Sequence, residues 1–401
     1  MQLSTPSRSY SPLYFLASVG AGGLAVTFFM YLMFWVPHKG RPVPVFEDIA
    51  LAFTTGSLAL QAAIVVAMLG IAFFVIQNLR MLFWNLGAYG QFIRTEAGQN
   101  LLKSNAETTT LALPLALAMA VNGLFIAGLV FVPGLWSIVE YLFPVAMIAF
   151  ILIGVLALGM IGRFLGRVLS KGGVFDVTAH NSFAQLLPSF ALAMVAVGLA
   201  APAAMSTVPV VVGTSLVVST MFGVAALLYA SVALVTAFNS MLHYGTAKEA
   251  GPTLMIIVPL MTVLGIMLLR QNHGLHTTFN VHAEPVETMV LLARILSVQF
   301  VFLGLGLVVL RAQGYFSDFV FGTKTSPGSY ALVCPGVATS VMIHFFINKG
   351  LVASGMVDKY SVAFWGFTAV AIAFQMSMVW LIMRLNGQHF GRTNARPIPA
   401  E

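Results

Sequence analysis

Charge is scarce in this chain: Asp, Glu, Lys and Arg together make up 8% of its 401 residues. A domain bathed in water carries roughly a quarter, so no stretch here supplies the surface of a soluble domain. Cysteine is scarcer still. The single Cys334 excludes an intrachain disulfide and leaves the redox compartment open. No glycine-rich loop ending in Lys-Ser or Lys-Thr occurs, which removes the usual signature of an ATP-driven pump. Acidic residues are nearly missing from the apolar runs, which argues against a cation path lined by carboxylates. No two histidines inside those runs stand at a spacing suited to haem, and no cofactor is expected.

What is present is apolar, with 59% hydrophobic residues. A helix needs about 20 residues to cross the hydrocarbon core. Runs of that length fall near 13–36, 49–77, 109–132, 137–162, 183–205, 209–240, 253–269, 288–310, 329–348 and 361–383. The expectation is therefore an all-α integral membrane protein with ten spans and one transmembrane domain over 1–401. The joints around Pro133 and around Thr207 to Pro209 are short and read as turns between antiparallel neighbours. The first run is longer than a signal-peptide core and lacks an obvious small-residue cleavage site.

The formal charge of +7 fits basic loops better than nucleic-acid binding. With ten spans, one side holds Arg8, Arg80, Arg94, Lys103, Arg163, Arg167, Lys171, Lys248, Arg311, Lys324, Arg384, Arg392 and Arg396. The other holds Lys39, Arg41, Arg270, Lys349 and Lys359. That bias places both termini in the cytoplasm of a cell whose inner membrane the chain spans.

Proline repeats. Pro114, Pro188, Pro259 and Pro335 lie one to two turns inside spans 3, 5, 7 and 9, separated by 74, 71 and 76 residues. Proline removes a helix hydrogen bond and bends the chain. The period implies a helical hairpin repeated five times, with glycines replacing the proline in span 1. Irregular backbone at membrane depth belongs where it is buried in protein or lines a cavity. The expectation is an inner ring of kinked odd helices around a central pore, inside an outer ring of even ones.

Five tandem hairpins of this kind resemble the slow anion channels and the tellurite-resistance/dicarboxylate transporters. The opening "YFLASVGAGGLA" at 14–25, "LLPSFALAMVAVGLAAP" at 186–202 and "LVCPGVA" at 332–338 are similar to that family's first, fifth and ninth helices. The resemblance implies a pore lined by the odd helices, a small inorganic or organic anion as substrate (sulfite, nitrate, chloride, a dicarboxylate or a tellurite-type oxyanion) and a homotrimer. It also implies a phenylalanine plug on the ninth helix. In this chain that position falls at or near Cys334, a departure from the pattern. The chain is similar, too, to bacterial homologues that carry selenocysteine before the proline, which would make Cys334 chemical rather than steric.

Individual residues keep two readings each. Cys334 is a small hydrophobe in a helix contact or a redox-sensitive or substrate-contacting thiol. His344, well inside span 9, is a proton carrier or positive charge near the outer mouth, or a neutral histidine bonded to a neighbouring helix. Arg294 and Glu140, at similar depth in spans 8 and 4, snorkel or pair with each other, or attract anions. Ser18, Thr109, Asn122, Ser189, Thr262, Thr339 and Ser340 replace part of an anion's hydration on a pore wall or join helices. The outer segment "HGLHTTFNVHAEPVE" at 273–287 offers three histidines and two glutamates to a metal, at no helical ligand spacing. "RMLFWNLGAYGQFIR" at 80–94 has the composition of a helix lying in the membrane interface. Besides an anion conduit, a membrane thiol protein using Cys334 and a non-conducting regulatory subunit remain open.

Overall fold

The computed structural model describes residues 10–170, 175–281 and 284–391; Arg8, Lys171, His282, Arg392 and Arg396 lie outside them. The described residues hold helices and turns and no strand. Ten helices are long and apolar enough to cross a membrane. Spans 1 to 5 are Pro12–Trp35, Leu58–Phe92, Asn105–Phe131, Leu135–Ser170 and Phe183–Met205. Spans 6 to 10 are Pro209–Tyr244, Lys248–Phe279, Pro285–Ala312, Pro327–Val352 and Val362–Phe390.

Several boundaries differ from expectation. Phe46–Thr55 is a separate short helix, because Gly56 and the Ser57 cap break the apolar run ahead of span 2. The segment 80–94 is not an independent interfacial helix. It continues span 2 to Phe92, since Asn78, Met81, Leu82 and Asn85 keep one buried face in register with the span. Spans 7 and 9 extend past their hydrophobic runs, to Phe279 and Val352.

Burial alternates along the chain. In the most apolar stretch of each odd span, 50% to 94% of residues are buried; in each even span, 28% to 33%. The even spans present rows of exposed apolar side chains, such as Val145, Ile148, Leu152 and Val155 on span 4. In water such rows would be a liability; toward lipid they are the expected surface. Each odd span packs on the even span that follows it, and the odd spans also touch in succession, 1 on 3, 3 on 5, 5 on 7, 7 on 9 and 9 on 1.

Small residues make the last of these contacts close. A Cβ on Gly23 would stand 2.8 Å from Val337 of span 9, and one on Gly22 2.6 Å from Met119 of span 3. The glycine-rich opening therefore lets span 1 settle between its two neighbours.

The proline repeat has a more specific meaning than a mid-helix kink. Spans 3, 5, 7 and 9 each begin with a 3-10 segment, followed by an α-helix starting at Ala112, Leu187, Ile257 or Val333. Pro114, Pro188, Pro259 and Pro335 all fall in the first turn of that α-helix, where a missing N–H is least costly. Each proline therefore stands where the helix type changes rather than inside a continuous α-helix. Ser104, Ser182 and Ser326 cap three of the 3-10 segments, and Ser11 caps the equivalent segment of span 1.

The first and last spans meet at one face. Tyr14 Oη lies 2.9 Å from His389 Nδ1, and Tyr330 donates to Asn386 Oδ1 at 2.9 Å. On this terminal face Arg167 of span 4 pairs with Glu107 at 2.9 Å, and Asp318 accepts from both Lys248 and Lys324 at 3.0 and 2.9 Å. Those two ammonium groups hold the Asp318 carboxyl below its ordinary value.

Candidate functional site

A cavity of about 550 Å³ reaches the face opposite the termini, lined mostly by odd spans with Phe143, Ala146 and Phe150 of span 4 and Pro285 and Thr288 of span 8 also on its wall. Its deepest lining residue on each odd span is Val19, Met119, Phe190, Pro259 and Cys334 in turn. Beyond them toward the terminal face, residues such as Phe15, Leu111, Leu187, Leu254 and Leu332 are buried. The cavity is thus closed at one end by a layer of packed apolar side chains.

Its polarity is graded. Near the mouth the walls carry Arg41, Arg270, Lys349, His38, His273 and His276. Among the described residues, no aspartate or glutamate lines the cavity. Arg41 is paired with Asp48 at 2.6 Å, whereas neither Arg270 nor Lys349 has a carboxylate partner among the described residues. A smaller pocket of about 320 Å³ adjoins the mouth, shares His38 and Lys349 with it, and adds Lys39 and Lys359. Below the mouth the walls are methionine, phenylalanine and aliphatic, interrupted by Asn122, Thr262 and Cys334.

Arg270 owes its place to a break in span 5. The α-helix of that span stops at Leu199, and a second short helix runs Ala201–Met205 with Pro202 in its first turn. Carbonyls in the last turn of a helix lack a partner within it. Val197 O, one of these, accepts from Arg270 Nη1 at 2.6 Å. One arm of the guanidinium is thereby fixed while the half-buried group stays on the cavity wall.

The residues singled out in the sequence divide sharply. Cys334 lines the cavity floor and is 7% exposed, beside Pro335 and level with Pro259. Asn122 and Thr262 also line the cavity. Asn122 donates to Ala118 O at 3.0 Å, and the Thr262 hydroxyl lies 3.2 Å from Val258 O and Ala338 O. The Thr262 proton and one Asn122 amide proton therefore serve backbone carbonyls, and the Asn122 amide nitrogen also lies 3.8 Å from Met194 Sδ.

The other hydroxyls join helices. Ser18 donates to Asn78 O at 2.9 Å, Ser189 to Ala226 O at 2.7 Å and Ser340 to Ala371 O at 2.8 Å. Each bond links an odd span to the even span that follows. Thr109 and Thr339 bond within their own segments, to Ala106 O and Pro335 O. None of these five lines the cavity.

Glu140 does not pair with Arg294. It accepts from Ser206 Oγ at 2.6 Å and from Thr207 N at 2.7 Å, closing the turn between spans 5 and 6. A carboxylate satisfied by donors at a turn needs no distant arginine. Arg294 is exposed on the outward side of span 8.

His344 is fully buried outside the cavity. Its ring packs against Tyr31 and Phe34, and neither nitrogen has a hydrogen-bond partner. It is not bonded to a neighbouring helix, as one reading of the sequence expected. The histidine-rich segment 273–287 forms no cluster of three metal-ligating side chains among the described residues.

Arg270, His273 and Lys349 were missed as wall residues, because the end of a hydrophobic run was read as the end of a helix. Compared with known proteins, the chain matches no family model and no curated relative.

Proposed function

We propose that this chain is a membrane conduit for anions, in which the odd spans form an inner ring around the cavity and the even spans a lipid-facing outer ring. The observation that carries this reading is the cavity itself: basic residues at its mouth and no carboxylate on its wall. At an effective dielectric of 20, a fixed positive charge 4 Å from an anion contributes about 4 kcal/mol of attraction. Two unneutralised cations at one mouth therefore concentrate anions and repel cations. The alternation of burial and the resemblance to slow anion channels and tellurite-resistance/dicarboxylate transporters support the same reading. So does the basic bias of the terminal side, which fits cytoplasmic termini in an inner membrane; the family likeness also implies a homotrimer.

Flux through purified protein in liposomes tests it, with nitrate, chloride, sulfite and a dicarboxylate each offered against an impermeant counterpart. Anion flux that falls at least tenfold in Arg270→Gln supports the conduit. Helical, monodisperse protein that passes none of these anions, alone or with Phe190→Ala at the cavity floor, overturns it.

A second reading is favoured by one observation, the placing of Cys334 on the cavity floor. There the thiol is reached only through the cavity, as a redox-sensitive or substrate-contacting group would be. Cys334→Ser would then abolish function with the fold intact, whereas a conduit keeps altered but measurable flux.

A further inference from the structure

The cavity has two chemistries at two depths, and that separation says more about its ligand than charge alone. Basic groups gather at the mouth. Below them, Met119, Met194, Phe150 and Phe190 stand on the wall, with Met30 and Phe125 nearer the mouth. Methionine and aromatic side chains form adaptable apolar surfaces. A small, strongly hydrated anion descending past Arg270 would shed water against this wall and find few replacement donors, since the Thr262 proton serves a carbonyl and the Asn122 amide is shared between Ala118 O and Met194 Sδ. An anion that carries its own apolar body loses nothing there.

The dimensions agree. About 550 Å³ lies within the range of sites that enclose small organic molecules, roughly 300 to 1,000 Å³. Arg270 and Pro259 are eleven residues apart on span 7, about 16 Å of helix. That depth accommodates a bicyclic aromatic or medium-chain tail beneath a head group at the mouth. The Arg270 guanidinium has one nitrogen fixed on Val197 O, so the fork is positioned in advance and its remaining N–H groups suit a carboxylate or sulfonate.

We infer that the cavity binds amphipathic organic monoanions, with the charged head at Arg270 and Lys349 and the apolar body in the methionine- and phenylalanine-lined chamber. This rests on the anion reading of the cavity and names the substrate class within it. Dicarboxylates and small inorganic oxyanions are the poorer ligands, because neither a second charge nor a full hydration shell finds a partner below the mouth.

Naphthalene-2-sulfonate is a suitable probe, since its charge is independent of pH and its ring fluoresces. Binding would be titrated on the full chain in nanodiscs, with empty nanodiscs as the blank. Naphthalene-2-methylammonium and nitrate serve as competitors. The expected result is saturable binding, weakened at least tenfold in Arg270→Gln and removed in Ala146→Phe, which narrows the chamber. The ammonium analogue should not compete, and nitrate should compete only at concentrations at least a hundredfold higher. Arg270→Lys, which keeps the charge but loses the fork, should bind between wild type and Arg270→Gln.

Binding that matches the empty nanodiscs, or that both substitutions leave unchanged, overturns the inference, as does equal competition by nitrate. Nitrate flux in liposomes from the same preparations separates the two claims. Flux without sulfonate binding leaves the conduit standing and removes the amphipathic substrate. Saturable, Arg270-dependent sulfonate binding with no anion flux keeps the ligand and removes the conduit.

Discussion

Tyr14 Oη lies 2.9 Å from His389 Nδ1, so the opening turn of span 1 is tied to the last turn of span 10. Both residues are buried, and the Tyr14 ring also meets Trp84, Tyr330 and Phe390. The contact closes the ends of a long chain upon each other. Tyr14→Phe keeps the ring and removes the hydroxyl, and should cost about 1 kcal/mol in thermal or denaturant unfolding in detergent. His389→Ala in the Tyr14→Phe background should add less than it does alone. Full additivity would show that the two side chains do not act together.

Ser189 separates structure from transport. Its hydroxyl donates to Ala226 O and lies off the cavity wall. Ser189→Ala should lower stability by about 1 kcal/mol and leave anion flux and selectivity unchanged. A change in selectivity at unchanged stability would return this serine to the permeation path.

Phe190 stands at the floor of the cavity, next to Ser189 in sequence, and is 2% exposed. The conduit reading expects Phe190→Ala to raise flux severalfold by thinning the closing layer. Cys334→Ala, a smaller truncation, should raise it less. Equal flux in wild type and Phe190→Ala places the resistance elsewhere.

His344 is buried with both ring nitrogens unpartnered. Leaving buried polar groups unpaired is costly, and replacing them with an apolar group of similar shape is neutral or stabilising. His344→Phe should therefore match or exceed wild type in thermal unfolding and show the same flux from pH 5 to 8. A loss of several degrees, or a changed pH profile of flux, would reveal a polar role for the ring.

Asp318 gives the terminal face a predictable acid response. Lys324 and Lys248 lower its pKa, so its contribution to stability is complete above the unfolded carboxylate value of about 3.9. It disappears as pH falls through the lower folded value. The stability difference between wild type and Asp318→Asn should be constant above about pH 5 and shrink toward zero as pH falls through the lowered folded value. The carboxylate keeps contact with solvent, so added salt should also reduce it. A difference that grows on acidification would contradict the pairing.

The ten helices were legible because span length is dictated by the bilayer and apolar runs betray it. The special status of the odd spans was also readable, through Pro114, Pro188, Pro259 and Pro335. What those prolines do was less visible. A proline in a helix interior and one in the first α-turn after a 3-10 segment look alike in sequence and differ in the neighbours their backbone needs. The cavity mouth was hidden for a different reason. Arg270 lies where the hydrophobic run ends, and its hydrogen bond to the Val197 carbonyl of span 5, which holds it on the wall, is a long-range contact that composition does not encode. Glu140 was misassigned because matching depth suggested Arg294, while the nearer donors at Ser206 and Thr207 belong to a turn whose geometry composition does not encode.

The one-sided closure of the cavity has an electrical consequence. From Val19 back to Tyr14 is five residues and from Phe190 back to Phe183 seven, part of each in 3-10 form, so at these two spans the closing layer is about 8 to 12 Å thick, at about 1.5 Å per α-helical and 2.0 Å per 3-10 residue. A full hydrocarbon core is about 30 Å. If ions fill the open cavity, nearly all of a membrane voltage drops across that thin septum, and the field there is about threefold stronger than through plain lipid. An elementary charge would then cross about 2.3 kcal/mol per 100 mV within two helical turns. Cys334, at the septum's edge, would sit at almost the potential of the far compartment, although it lies nearer the terminal face.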